Sequence, residues 1–289
     1  MNHQAHKLET IFGEHNVSKK SKTRFIAVTS GKGGVGKTTI SANMGFLMAK
    51  RGIKTGVFDA DIGLANLDVM LGLNPQKTIL NLLKGDAEIA DIILPIDENC
   101  FLVPGESGNE ILKFSDQFMY DRFYSEIEKL DFLDYLILDT GAGIGEHITM
   151  FSNAADEVIV VTTPDPAAIT DAYAMLKVLS AKKERMFLLV NQAQDDLEGE
   201  RVFERVRKVA AANLPSLKLI SAGSLPKDND VTKSVRSRYL FSKEIPASKA
   251  SIRLDKIIDR ILNVVERQML ERREESGFNR FFKRLLNQF

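Results

Sequence analysis

The stretch Phe25-Ile-Ala-Val-Thr-Ser-Gly-Lys-Gly-Gly-Val-Gly-Lys-Thr-Thr39 decides the fold of this chain. It opens with a short apolar run typical of a buried strand, continues through a glycine-rich loop, and enters a helical pattern over Thr38–Lys50. Residues 31–38 match G-x-x-x-x-G-K-[ST], in which glycines let backbone N–H groups turn inward around phosphate oxygens. The sequence therefore predicts a phosphate-binding loop at the positive N-terminal end of a helix.

The loop residues have distinct expected roles. Lys37 is expected to bind the β- and γ-phosphates of a nucleotide, and the Thr38 hydroxyl is expected to ligate Mg²⁺. The whole loop is predicted to hold the nucleotide, through Gly31, Lys32, Gly33, Gly34, Val35, Gly36, Lys37, Thr38 and Thr39.

Strand-like and helical patterns alternate along most of the chain. The predicted strands are Arg24–Ser30, Thr55–Phe58, Phe101–Val103, Tyr135–Leu138, Glu157–Thr163, Met186–Val190 and Leu217–Ser221, with helices such as Thr38–Lys50, Asp116–Leu130, Ala167–Ser180 and Glu200–Ala212 between them. Continuous apolar strands alternating with helices predict an α/β fold, with a mostly parallel twisted sheet covered by helices on both faces. Ligands of such sheets bind beyond the carboxyl ends of the strands.

Carboxylates follow two of these predicted strands. Asp59 and Asp61 come after Thr55–Phe58, and Asp139 comes after Tyr135–Leu138. Two acids two positions apart point the same way if the strand pattern persists, so one is suited to a metal-bound water and the other to an attacking water. Asp139 is placed to hold the Mg²⁺ shell through water. Capping or turn acids are the alternative for the first pair.

Composition excludes several classes of protein. The chain has 289 residues, with 39 Lys+Arg against 39 Asp+Glu, and this balance disfavours a general nucleic-acid binder. Cys100 is the only cysteine, which excludes an internal disulfide framework and a cysteine-rich metal site. The polar start lacks the apolar segment of a signal peptide, and no apolar run approaches the roughly 20 residues that span a bilayer. We therefore expect a cytoplasmic protein.

Lys32, an additional lysine early in the loop, resembles the signature of the deviant Walker A ATPases, the family of MinD, ParA and the nitrogenase iron protein. The resemblance covers roughly residues 24–265 and implies a P-loop NTPase fold, ATP and Mg²⁺ as cofactors, and an ATP-dependent homodimer. In that family this lysine reaches the partner's nucleotide, as an arginine finger does. Lys32 and Lys37 are thus implied catalytic residues, and an exposed loop lysine is the alternative for Lys32.

The family resemblance extends to four further loops. Residues 59–68 resemble the switch I motif, which implies that Asp61 positions the hydrolytic water and that Asp59 supports the metal site together with Thr38 and Asp139. The loop after the Asp139 strand has Gly141 where relatives often have proline, which predicts a looser switch II. Two late loops are expected to meet the adenine edge, through the Asn191 amide and through Pro226 and Asp228, with a purely structural role as the alternative.

The C-terminal segment 277–289 is a basic amphipathic helix by its pattern. Its apolar stripe consists of Phe278, Phe281, Phe282, Leu285, Leu286 and Phe289, and its charged residues are Arg280, Lys283 and Arg284. Such a helix suits an anionic bilayer surface and resembles the membrane-targeting tail of MinD. The predicted organisation is therefore an extension over 1–23, an ATPase domain over 24–265 and a C-terminal region over 266–289. Packing of the stripe on the protein's own core or on a partner helix is the alternative.

The N-terminal extension carries a short helical pattern. Residues 3–9 resemble the D-Q-A-x-x-L-R motif of the FlhG group of MinD-like ATPases, in which Gln4, Ala5 and Leu8 match while His3 and Glu9 depart. In that group the motif activates an FlhF-like GTPase of the signal-recognition type.

Together the resemblances imply an ATPase switch that binds the inner membrane face reversibly and regulates flagellar number and placement. Its implied partners are a second copy of the chain, the FlhF-like GTPase, anionic lipid and flagellar switch-complex proteins. The alternatives are a division-site MinD, a ParA-type DNA or cargo positioning ATPase, and a metal-cluster carrier of the same superfamily, which would need more cysteines.

Overall fold

The computed structural model describes residues 23–61, 66–105, 122, 125–269 and 277–286. Within them lies an eight-stranded sheet with the order β3-β4-β2-β5-β1-β6-β7-β8. The strands are β1 (Arg24–Ser30), β2 (Thr55–Ala60), β3 (Leu94–Asp97), β4 (Cys100–Val103), β5 (Tyr135–Ala142), β6 (Glu157–Thr162), β7 (Arg185–Ala193) and β8 (Lys218–Pro226). Strands β3 and β4 are antiparallel, and every other neighbouring pair is parallel.

Helices connect the strands and cover both faces of the sheet. They are α1 (Lys37–Lys50), α2 (Leu67–Leu71), α3 (Ile79–Lys84), α4 (Ile89–Ile92), α5 (Glu146–Ala154), α6 (Pro166–Leu179), α7 (Asp196–Asn213), α8 (Asn229–Ser237), α9 (Phe241–Glu244), α10 (Lys249–Met269) and α11 (Gly277–Leu286), with a 3₁₀ turn at Lys129–Phe132. This arrangement confirms the predicted α/β fold with a mostly parallel sheet.

Strand β1 shows why the sheet needs two helical layers. All seven of its residues are buried, and successive side chains alternate between two hydrophobic clusters. Phe25 and Ala27 join the cluster under α3–α7, while Ile26 and Val28 join the cluster under α1 and α10. Because the central strands are buried on both faces, polar side chains of the sheet can reach a ligand only where the strands end.

The predicted strands are present; β2, β5, β7 and β8 extend further at their carboxyl ends than the patterns indicated, whereas β6 ends one residue earlier. Strands β2 and β5 continue to Ala60 and Ala142, so Asp59 and Asp139 lie inside these strands, near their carboxyl ends, and not after them. Strand β3 was not predicted; it is a short partner of β4 in a hairpin. Most of the helix predicted over Asp116–Leu130 and all of residues 1–22 lie outside the described residues.

The C-terminal helix α11 packs on the protein's own core. Phe278 is fully buried, and Phe281, Phe282 and Leu285 are at most 9% exposed, all within the cluster that contains Phe25. Helix α11 contacts α5 and β1. The alternative reading of the stripe is therefore the arrangement that this structure shows, while the Leu286 side chain and Phe289 lie outside the described part. Among the described residues, no helix is both long and apolar enough to cross a bilayer.

Candidate nucleotide-binding site

The phosphate loop lies between the carboxyl end of β1 and the first turn of α1, as the sequence predicts. Gly34 and Gly36 have φ of 77° and 95°, in the left-handed region that glycine adopts without strain. Gly36 is the N-cap residue of α1, and it offers no side chain to accept a hydrogen bond from the first backbone N–H groups of that helix. The loop therefore presents backbone donors and a positive helix end to one space, which is the requirement for binding phosphate.

Asn191 holds this loop in place. Its Nδ2 donates to the Val35 carbonyl at 2.8 Å, and its Oδ1 accepts from the Gln192 N–H at 2.9 Å. A Cβ at Gly36 would overlap the same Nδ2 atom, so the glycine is also what allows the amide to come close. Asn191 therefore makes a positioning contact between β7 and the phosphate loop, and it also lines the cavity, so its contact with adenine stays a prediction.

Asp139 is the buried carboxylate of the site. Its Oδ1 accepts from the Ser41 hydroxyl at 2.8 Å, and the Thr38 hydroxyl is a further hydrogen-bond partner. Burial raises the pKa of Asp139 to about 7, against the lowering effect of these two hydroxyls. The structure therefore brings together Thr38 and Asp139, both predicted for the metal site, and adds Ser41, which sequence reasoning missed because a helical serine carries no distinctive signal.

Asp59 lies directly opposite Asp139 in the register of β2 and β5. Its Oδ2 accepts from the backbone N–H groups of Asn66 and Leu67 at 2.8 and 2.9 Å, and Oδ1 accepts from the Asp61 N–H at 3.3 Å. Burial raises its pKa to about 6, and these hydrogen bonds oppose the rise. Asp59 thus anchors both ends of the segment 61–67 in addition to facing Asp139.

Lys37 and Asp61 complete the charged floor of the site. Burial lowers the pKa of Lys37, and the charges of Asp139 and Asp61 oppose that shift. Burial also raises the pKa of Asp61, which Lys37 opposes. A Cβ at Gly141 would come within 2.7 Å of Asp61 Oδ1, so the Asp61 carboxylate rests against the glycine of switch II. The predicted catalytic residues Lys37 and Asp61 therefore lie near each other.

Lys32 lies apart from this floor, at the rim. Its Nζ is 3.3 Å from Asp165 Oδ1, and the two side chains are 43% and 52% exposed. Asp165 also caps α6 by accepting from the Ala168 N–H at 2.9 Å. Asp165 was missed, although it follows β6 just as Asp61 follows β2, and this recurrence of an acid after a strand was the signal that could have found it.

A cavity of about 690 Å³ extends from the phosphate loop toward α2 and α8. It is lined by Gly34, Gly36, Lys37, Thr38, Thr39, Asn191, Pro226 and Asp228 among the predicted residues, and by an apolar wall of Val69, Met70, Val231 and Val235 that was not predicted. An apolar slot beside a phosphate-binding loop suits a flat base joined to a phosphate chain.

Asp228 has a structural use in this cavity wall. Its Oδ1 accepts from the Asp230 N–H at 2.9 Å in α8, and its Oδ2 accepts from the Ala250 N–H at 3.1 Å in α10. Both carboxylate oxygens are thus used at helix N-termini. Asp228 therefore has a capping role at the cavity wall, and its contact with adenine stays a prediction.

The oxygen donors of the floor suit a hard divalent cation. The Thr38 hydroxyl and the carboxylates of Asp139 and Asp59 are ligands that Mg²⁺ prefers, with phosphate oxygens and waters supplying the remaining positions. No group of three His, Cys, Asp or Glu side chains that could hold a metal occurs among the described residues. Gln4, Ala5 and Leu8 lie outside the described residues.

Comparison with known proteins places this geometry in a family. A family model described as ParA, NUBPL iron-transfer P-loop NTPase, matches residues 21–262. The flagellum site-determining protein YlxH of Helicobacter pylori is 45% identical over 291 residues, which are 99% of each chain. The antiactivator FleN of Pseudomonas aeruginosa is 36% identical over 241 residues, covering 82% of this chain and 85% of that protein.

A solved structure shares the fold. The septum site-determining protein MinD of Pyrococcus horikoshii OT3, in complex with Mg-ADP, matches with a TM-score of 0.67 at 24% identity, covering 83% of this chain and 96% of its own. The chain therefore belongs to the ParA/MinD family of P-loop ATPases, in the branch of the flagellum site-determining (FlhG) proteins, and it is an ATPase.

Proposed function

We propose that this ATPase is a switch that controls flagellar number and placement by dimerising on ATP and binding the cytoplasmic membrane face. The observation that carries the proposal is the similarity to a flagellum site-determining protein over 99% of both chains, which includes both ends of the molecule. ATP and Mg²⁺ are the cofactors of this switch, bound by the phosphate loop and by the acids of its floor.

The position of Lys32 supports an ATP-dependent homodimer. Its pair with Asp165 is exposed at both partners, and such pairs contribute only about 0–1 kcal/mol. The lysine is therefore easily drawn away by the phosphates of a nucleotide in a facing subunit, where it would stabilise the charge that develops during hydrolysis. Asp61 would orient the attacking water, since it lies near Lys37, which also feels the charge of Asp139.

The docked helix α11 supports reversible membrane binding. Its described apolar side chains are buried on the domain, Lys283 is exposed, and Arg280 and Arg284 pair with Asp156. Partial insertion of six apolar side chains into lipid stabilises the membrane-bound state by roughly 5–9 kcal/mol. The tail must first leave the domain, and the loss of those contacts largely offsets this gain. Through avidity, two tails in one dimer bind the membrane about 10²–10⁴ times more tightly than one tail does. Dimerisation therefore decides whether the protein stays on the membrane.

The N-terminal residues Gln4, Ala5 and Leu8 are the proposed contact with an FlhF-like GTPase, and flagellar switch-complex proteins are further proposed partners. A metal-cluster carrier fits poorly, because Cys100 is the only cysteine and burial raises its pKa to about 12. A DNA-positioning ATPase is disfavoured by the zero net charge, and a division-site MinD by the 23 residues that precede the ATPase domain.

The test combines light scattering with vesicle sedimentation and a count of flagella. With a slowly hydrolysed ATP analogue, the full chain should dimerise and bind anionic vesicles, whereas ADP should leave it monomeric and largely unbound. Removal of residues 277–289 should abolish vesicle binding and leave nucleotide affinity intact. Cells that lack the protein should have an altered number of flagella. The same monomer with both nucleotides, or normal flagella without the protein, would overturn the proposal.

A further inference from the structure

A cluster of charged side chains surrounds the docked helix α11 at the amino-terminal edge of β1, β6 and β7. Asp156, directly before β6, is its centre and is 8% exposed. Its Oδ1 accepts from Arg280 Nε at 2.9 Å and from Arg284 Nη1 at 3.2 Å, while its Oδ2 accepts from the Phe25 N–H at 3.0 Å. One buried carboxylate thus holds two arginines of the helix against the strand that leads to the phosphate loop.

Lys183 weakens the attraction between Asp156 and the arginines of α11. It lies shortly before β7, and its Nζ donates to the Ala155 carbonyl beside Asp156. The charges that act on it are the attractive Asp156 and Glu157 and the repulsive Arg284 and Arg280. Docking therefore brings two arginine side chains toward a lysine that is already mostly buried, which raises the electrostatic free energy of the docked state.

The second acid of the cluster is already engaged. Glu157 accepts from Arg185 Nη2 at 2.6 and 2.7 Å and lies 3.9 Å from Arg24 Nη1. These three side chains belong to the strands themselves and do not belong to α11. Asp156, in contrast, contacts the helix directly through both arginines.

We propose that Asp156 and Lys183 form an electrostatic latch, in which Asp156 holds α11 down, Lys183 weakens that hold, and phosphate groups of an anionic lipid surface open the latch by binding Arg280 and Arg284. This inference rests on the proposed membrane function and specifies how its tail is released. The phosphate of a lipid headgroup binds a guanidinium as a carboxylate does, and a charged bilayer offers many such groups together.

The latch should respond to pH in a definite direction. Burial foremost, and then the charge of Arg284, lower the pKa of Lys183 to about 8 in the docked state. Undocking takes Arg284 and Arg280 away from Lys183, so the undocked lysine binds its proton more tightly. Docking therefore releases a proton and becomes more favourable as pH rises through about 8.

The experiment uses the full chain in ADP with vesicles of phosphatidylglycerol and phosphatidylcholine, whose charge is constant from pH 7 to 9. Asp156→Asn should bind at least about fivefold more tightly than the unaltered protein, because Asn keeps an acceptor for the Phe25 N–H but loses the charge that holds the arginines. Lys183→Gln should bind at least about fivefold more weakly, because Gln still donates to Ala155 without repelling Arg284. Asp255→Asn, which disrupts a surface pair with Arg51, is the matched control and should change nothing.

Gly277→Ala provides an uncharged way to open the same helix. A Cβ at Gly277 would overlap the Thr23 carbonyl oxygen, so this variant should undock α11 without altering its stripe or its arginines. It should bind vesicles like Asp156→Asn, with no loss of binding between pH 7 and pH 9, whereas the unaltered protein should lose binding over that range. Neutral phosphatidylcholine vesicles with added inorganic phosphate distinguish the two sources of phosphate and should leave all proteins unbound.

A second readout separates the latch from the membrane function. Amide hydrogen exchange of α11 without vesicles should be faster in Asp156→Asn and slower in Lys183→Gln than in the unaltered protein. If both variants exchange and bind as the unaltered protein does while Gly277→Ala is undocked, the latch is wrong. If exchange changes as expected but no protein binds lipid with either nucleotide, the latch stands and the proposed membrane function fails. Release by inorganic phosphate alone would overturn the lipid as the opening ligand.

Discussion

The rings of Phe25 in β1 and Phe281 in α11 stack face to face, with centroids 4.1 Å apart and planes inclined by 8°. Phe278 meets the same Phe25 ring edge-on at 5.0 Å. Phe25 stands five residues before Ser30, where β1 ends and the phosphate loop begins. A single strand therefore carries the docking contact of the tail at one end and the nucleotide site at the other.

Phe281→Ala should loosen the tail without unfolding the domain. Loss of the stacked ring weakens docking by about 2–4 kcal/mol, because both buried area and aromatic contact disappear. Hydrogen-exchange protection in α11 and the facing part of α5 should fall by at least about tenfold. Val178→Ala, which trims a side chain that is 40% exposed, is the control. Unchanged protection in the Phe281 variant would mean that the stack contributes little to docking.

Lys32→Ala should separate dimerisation from stability. The pair with Asp165 is exposed, so the free energy of unfolding should change by less than about 0.5 kcal/mol. The ATP-dependent dimer should nevertheless be lost in light scattering, because the charge that reaches the partner's phosphates is gone. Lys208→Ala, an exposed lysine of α7, should dimerise normally. Dimers of the Lys32 variant at full strength would refute the role of this lysine.

Gly141→Ala should lower turnover while nucleotide affinity is retained. A Cβ there would come within 2.7 Å of Asp61 Oδ1 and push that carboxylate from its place, so we expect a fall in kcat of about tenfold. Gly145→Ala lies in the same loop, and its Cβ would meet only Ile148 Cδ1 at 3.8 Å. ATP hydrolysis by the two variants compares them directly. Equal rates would show that the Asp61 contact with Gly141 does not matter for hydrolysis.

Asp228→Ala should destabilise the fold more than it weakens nucleotide binding. The carboxylate accepts from N–H groups of both α8 and α10, and removal of such a cap costs about 0.5–2 kcal/mol for each helix. Urea unfolding measures this loss, and Asp228→Asn should recover much of it because Asn also caps. A large loss of ATP affinity at normal stability would restore the direct role of Asp228 in binding adenine.

The buried acids predict the pH dependence of the nucleotide-free protein. The folded pKa of Asp139 is raised to about 7 from 3.8, so the folded state binds more protons than the unfolded state between these values. Stability therefore falls as pH rises from about 4 to 7. Asp139→Asn should remove this contribution and be more stable than the unaltered protein at pH 7.5 by at least about 1 kcal/mol, with a smaller advantage at pH 5. Urea titrations at the two pH values provide the measurement, and a parallel pH response in both proteins would contradict it.

Local sequence was sufficient for the parts of the site that lie within one strand–loop–helix unit. The glycines and lysines of residues 31–38 imply the phosphate loop because their spacing itself creates the cradle. Asp59, Asp61 and Asp139 were found because parallel strands end at a common edge. The alternation of apolar runs likewise indicated the layers of the sheet.

Contacts between distant segments could not be predicted in this way. The pair of Lys32 with Asp165 and the bond from Asn191 to Val35 each join residues more than 130 positions apart. A local pattern can mark an acid after a strand, as at Asp165, but it does not say which distant residue that acid meets. Asn191 and Asp228 were assigned to adenine from local patterns, which could not reveal that their side chains also hold the loop and cap helices.

The amino-acid sequence by itself determined the α/β layering, the phosphate loop and the amphipathic character of the tail, because each follows from the spacing of residues along one short segment. Only the tertiary structure decided that the tail lies on β1 and α5, with Asp156 between its two arginines. An apolar stripe lowers its free energy equally against lipid, a partner or its own core, and the choice among them depends on which complementary surface the folded chain presents.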